Sequence, residues 1–145
     1  MSEEQVKKSI EIIDASTGKT IGEMTTEDAN NILSSLLIDN EYREEFEVIG
    51  TKVQFKTITR KMRKEALGEV SGVEGSNALL KSILAEVNLK YALASVGDIE
   101  FEDIDKSGEF VEGMDENLFE AMYDKYLYFV NKVRAAVQNK DSVKN

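Results

Sequence analysis

The sequence predicts an α+β fold: two short β-hairpins packed with three to four α-helices, the last of them long and amphipathic. Three observations carry this. Two stretches rich in β-branched or alternating residues each fold back around a turn signal, DASTGK in the first and Gly50 in the second. Apolar residues recur at helical spacing in the middle of the chain. Near the end, Phe119, Met122, Tyr126, Phe129, Val130, Val133 and Val137 stand at offsets 0, 3, 7, 10, 11, 14 and 18, the period of one helix face.

The elements follow in order. VKKSIEII (6–13) and TIGEM (20–24) form the first hairpin. A helix over 27–38 follows, capped by Thr26, with Glu27 and Asp28 in the first turn to suit the helix dipole. Its apolar side is Ile32, Leu33, Leu36 and Leu37. EEFEVIGTKVQFKTI is the second hairpin, with Gly50-Thr51 as a two-residue loop of the Gly-first kind. That loop sets Val48 opposite Val53 and Phe46 opposite Phe55 on one face, and Glu45 opposite Lys56 on the other. Thr59 caps a basic helix whose apolar side is Met62, Ala66, Leu67 and Val70; SGVEGS (71–76) ends it as a hinge. NALLKSILAEVNLKYALASV (77–96) reads as the most buried helix, with Leu80, Ile83, Leu84, Val87, Tyr91 and Ala94 in one stripe. An acidic connection leads to Asp115, the cap of the final helix, which runs to about 139. Residues 1–138 are expected to form one domain and 139–145 a disordered tail.

Composition narrows the function. The chain has 145 residues, a net charge of −10, and neither His nor Cys. Ser-His-Asp and Cys-His chemistry is therefore excluded, and zinc loses its two best ligands. No apolar run reaches the length of a membrane span, and the N-terminus has no signal-peptide core, so a soluble cytoplasmic protein is expected. The negative charge opposes non-specific nucleic-acid binding.

Gly18-Lys19-Thr20 matches the end of a phosphate-binding loop, but position 13, where that loop needs Gly, is Ile. Asp103, Asp105, Ser107 and Gly108 match the opening of a calcium loop, but its twelfth position is Met114 in place of a bidentate Glu. A hairpin loop and a solvated acidic turn are the ordinary readings. No catalytic residue, metal site or cofactor is assigned.

Charge is unevenly placed. Residues 52–64, KVQFKTITRKMRK, hold six of the eighteen Lys and Arg and no acid, whereas residues 98–124 hold eleven acids with Lys106 as the only base. Arg60, Lys61, Arg63 and Lys64 thus form a candidate partner-binding face. An internal or intersubunit match with the acidic stretch explains the segregation without nucleic acid, and plain solvated surface is the alternative. Phe119, Met122, Tyr123, Tyr126 and Phe129 are the second candidate set. Aromatics at this spacing are ordinarily core, and otherwise a partner-binding ridge.

The order of parts over roughly residues 50–138 resembles the small tail-assembly chaperones of tailed bacteriophages. The resemblance rests on VQFKTITRK entering a basic helix, LLKSILAEVNLKYALASV, the GDIEFEDID connection and MDENLFEAMYDKYLYFVNKV. It implies a non-enzymatic protein that binds the tape-measure protein, keeps it soluble and helps recruit tail-tube subunits; self-association into a homo-oligomer is a separate expectation. The first hairpin departs from the mostly helical members. A structural tail or baseplate subunit, and an acidic regulator or DNA mimic, remain alternatives; a carboxylate-dependent enzyme is the remotest.

Overall fold

A computed structural model describes residues 9–139. Among them are five helices and two antiparallel sheets, one of two strands and one of four, an α+β architecture. The chain groups into two compact units, one built from residues 9–42 with 127–139 and the other from Arg43–Tyr126. Residues 6–8 of the expected first strand and the expected tail beyond 139 lie outside the described residues.

In the first unit, β1 (Ser9–Ile13) pairs with β2 (Thr20–Thr25) in the expected hairpin. Alternation works as a half-buried ribbon requires: Ile10 and Ile12 are buried while Ser9, Glu11 and Ile13 face out. The loop between them is stitched by Asp14, whose Oδ1 accepts from Ser16 N at 2.8 Å and Ser16 Oγ at 2.7 Å. Those hydrogen bonds hold the Asp14 carboxyl below its usual pKa. Gly18, at φ +77, closes the turn and Thr20 begins a strand, so the phosphate-loop resemblance ends in a hairpin loop.

Helix α1 (Thr26–Asp39) is capped one residue earlier than expected. Thr25, still extended as the last strand residue, accepts from Asp28 N at 3.0 Å, which leaves Thr26 inside the helix. Ala29 and Ile32 pack with Ile10, Ile12 and Met24, joined by Ala135 and Ala136 from α5 (Glu116–Gln138). Leu37 does not join them: it is 82% exposed beside an equally open Ile38. The helix ends at Asn40, which is left-handed (φ 60). Two contacts tie α5 to the hairpin. The Tyr128 ring crosses Gly22 so closely that a Cβ there would meet its hydroxyl at 2.6 Å. Asn131, buried, accepts from Ala15 N at 3.2 Å through Oδ1 and donates to Leu127 O at 3.0 Å through Nδ2.

The second unit contains the four-stranded sheet β3-β4-β5-β6 (Arg43–Val48, Thr51–Lys56, Leu93–Val96, Ile99–Glu100). Its first hairpin corrects the expected register. The two-residue loop is Ile49-Gly50, not Gly50-Thr51, with φ of 48 and 77. Positive φ at both positions is a type I′ turn, whose twist matches the strands. Phe46 therefore faces Val53, and Glu44 faces Phe55. The slip moves each partner by two residues, so the same side chains stay on the same face. It also sets Lys56 opposite Arg43, while Lys52 reaches Glu45 at 3.8 Å in an exposed ion pair.

Helix α2 (Arg60–Val70) is capped by Thr59, as expected, and buries Ala66. Helix α3 (Asn77–Ala92) stops four residues before the expected end. Leu93–Val96 instead form β5, pairing Phe55 with Leu93 and Val53 with Val96. Within α3 the expected stripe is buried only at Val87 and Tyr91; Leu80, Ile83 and Leu84 are half-buried, and Ala94, also buried, lies in β5. Part of the acidic connection is a fifth helix, α4 (Ile104–Glu112), which the sequence reading lacks. Asp103 caps it, accepting from Lys106 N at 2.9 Å. In helix α5, Asp115 is the cap as expected, accepting from the N–H groups of Asn117 and Leu118. Ala135 and Ala136, rather than the exposed Val137, continue its buried side.

Two stability measurements test this description. Ile49 is exposed and held at positive φ, which a β-branched residue resists; Ile49→Asn should raise urea-unfolding stability by about 1 kcal/mol. Asn131→Ala strips the tie between hairpin loop and helix and should cost about 1–2 kcal/mol in the same assay.

Candidate functional site

The expected partner-binding residues separate into an accessible group and a buried one. Arg60, Lys61, Arg63 and Lys64 are all exposed on α2. Among the described residues none of the four makes an ion pair. The expected internal match with the acidic stretch therefore does not form. The carboxylates of α4 line a groove against α3 while the α2 cations point to solvent.

The aromatic set is corrected more strongly. Met122, Tyr126 and Phe129 are 2%, 6% and 1% exposed, so none of them can form an accessible ridge. Phe129 stacks on Tyr42 with centroids 6.1 Å apart in the first unit. Tyr126 meets the edge of Phe55 at 5.8 Å in the second. Apolar rings at this spacing have gone to the core, where their large area contributes most. Phe119 and Tyr123 remain half-buried and stack on each other at 5.7 Å, nearly parallel at 8°.

In the second unit the rings form a continuous run: Phe46 to Phe55, Phe55 to Tyr126, Tyr126 to Tyr123 and Tyr123 to Phe119, each centroid step 5.7–5.8 Å. Burial pushes the Tyr126 phenol up to about 12. Burial also raises Tyr123, and the charge of Arg63 pulls it partly back. Arg63 thus sits where its field reaches the outer end of the aromatic run.

A second cluster escapes the sequence reading because its members are far apart in the chain. Glu69 on α2 accepts from Lys90 Nζ and, at 2.6 Å, from Tyr91 Oη on α3. Lys90 also stands over the Tyr91 ring, 5.4 Å from its centroid. Burial alone would raise the Glu69 carboxyl, but the two hydrogen bonds outweigh it and hold it below the usual range. Burial and the hydrogen bond to Glu69 push the Tyr91 phenol well above its usual value. The phenol stays protonated and the carboxylate charged, so the cluster clamps α2 to α3 and supplies no group poised for proton transfer near neutrality.

Helix α4 begins at Asp103, so the segment resembling a calcium loop takes helical geometry that does not wrap an ion. Among the described residues no three carboxylates converge on a metal position, and no helix is long and apolar enough to cross a membrane. No family model, curated protein or solved structure matches the chain.

The clamp has a pH signature. A Glu69 carboxyl held below the usual 4.5 stabilises the fold above that pH, and the contribution disappears as pH falls through the folded value. Glu69→Gln should therefore lower Tm at neutral pH, and the gap to the wild type should close as pH falls below 4.5 through the folded value. Paired thermal melts across that range check it, and a constant gap would remove the carboxylate from the account.

Proposed function

We propose that this chain is a non-enzymatic protein-binding factor in phage tail assembly, a chaperone that holds the tape-measure protein soluble in the host cytoplasm. The observation that carries this reading is the set of four exposed cations on α2, none in an ion pair among the described residues, in the same compact unit as the half-buried Tyr123–Phe119 stack. A long helical client presents apolar ridges flanked by charge. Aromatic and arginine groups at the edge of a folded core suit such a client, because they gain contact area with little side-chain ordering. The net charge of −10 keeps the loaded factor dispersed. The resemblance of residues 50–138 to tail-assembly chaperones points the same way. The contact residues are Arg63, Tyr123 and Phe119, supported by Arg60, Lys61 and Lys64.

Co-expression with tape-measure fragments is the direct test. Soluble yield of the fragment should rise, and the two chains should copurify. Arg63→Glu combined with Tyr123→Ala should weaken the complex by about tenfold or more while leaving the fold intact. Equal fragment solubility with and without this chain overturns the proposal. Recovery of the chain from finished particles would replace chaperone with structural tail subunit.

A further inference from the structure

Leu67 was expected in the core and is 46% exposed instead. On α2 it stands one turn beyond Arg63 and Lys64 and two turns beyond Arg60, so it is an apolar knob set among cations. None of these cations is paired within the described chain. The same unit carries a surface of the opposite kind. Between α3 and α4 runs a groove of about 390 Å³ whose lining includes Val87, Ile104 and Val111. Val87 and Val111 are buried beneath it, while the carboxylates of Glu86, Asp105, Glu109 and Glu112 stand exposed along it. Lys90, the cation in that lining, is held by Glu69.

The two surfaces match in chemistry and in pitch. Asp105 and Glu109 stand four residues apart on one face of α4, and Arg60 and Lys64 stand four apart on α2, so each charged pair spans about 6 Å. We infer that the outer face of α2 docks into the α3–α4 groove of a second copy of this chain, Leu67 packing on the exposed Ile104 and Arg60 and Lys64 meeting the α4 carboxylates. This needs no client and goes beyond the chaperone reading. The contact is heterologous: every copy offers one knob and one groove, so association builds a ring or an open string rather than stopping at a symmetric pair. The net charge of −10 opposes it at long range. At about 0.15 M salt the screening length is about 8 Å, which suppresses that repulsion more than ion pairs at contact.

Sedimentation at that salt concentration tests the inference with two variants, both checked for wild-type helix content by circular dichroism. One lacks the knob (Arg60→Ala, Lys64→Ala, Leu67→Ser); the other reverses the groove (Glu109→Lys, Glu112→Lys). The wild type should associate with rising concentration into species larger than a dimer. Each variant alone should be monomeric. Mixed in equal amounts they should form a 1:1 dimer and nothing larger, because one intact knob meets one intact groove. A wild type that stays monomeric at about 1 mM, where even a weak contact of about −4 kcal/mol would register, overturns the inference and leaves the ridge to a foreign acidic partner. Variants that associate like the wild type, or a mixture that stays monomeric, overturn it equally.

Discussion

The pairing of Phe55 with Leu93 organises the Arg43–Tyr126 unit. Phe55, near the end of β4, is buried and contacts the Phe46 ring and the edge-on Tyr126 ring. Pairing β5 to β4 converts the last four residues of an apparently helical run into strand. The gain is a ladder of backbone hydrogen bonds and burial of Leu93 and Ala94. Fully burying one leucine is worth about 2 kcal/mol, more than the few tenths of propensity that helix continuation would offer. Once β5 forms, α3 must end at Ala92, and the β5–β6 turn delivers the chain to α4.

That arrangement also determines where charge can go. Glu69 is drawn inward to Lys90 and Tyr91, which neutralises a cation on the inner side and leaves those on the outer side of α2 without carboxylates. Ser107, on the buried side of α4, donates to Lys90 O at 2.9 Å and so holds α4 against α3. The acids of α4 are thereby committed to a different surface from the cations of α2. Segregated charge in this chain is a consequence of helix packing.

Much of the architecture was legible. The Thr59 and Asp115 caps, the DASTGK hairpin and the long final helix follow from local chemistry: short polar side chains at helix starts, turn residues between β-branched runs, and a sustained helical period. The candidate basic face was legible for the same reason, since four cations in five positions cannot all be buried. The aromatic ridge was less so. Periodicity shows that Met122, Tyr126 and Phe129 share a side of α5, but a core face and a contact face have the same period.

What local order could not hold is whatever depends on a distant neighbour. Leu93–Val96 contains no Pro or Gly to end a helix, so only the partner strand makes it β. The hairpin register turned on whether Ile49 would accept a left-handed backbone, which the tight turn imposes against its intrinsic preference. Leu67 sits at a spacing suited to the core yet faces solvent, because Ala66 is the residue that reaches Val87 and Tyr91. Caps, turns and periods are properties of a few adjacent residues and are written in the chain. Strand identity, register and the choice between buried and exposed apolar positions are set by which surfaces meet, and that is decided by packing across the fold.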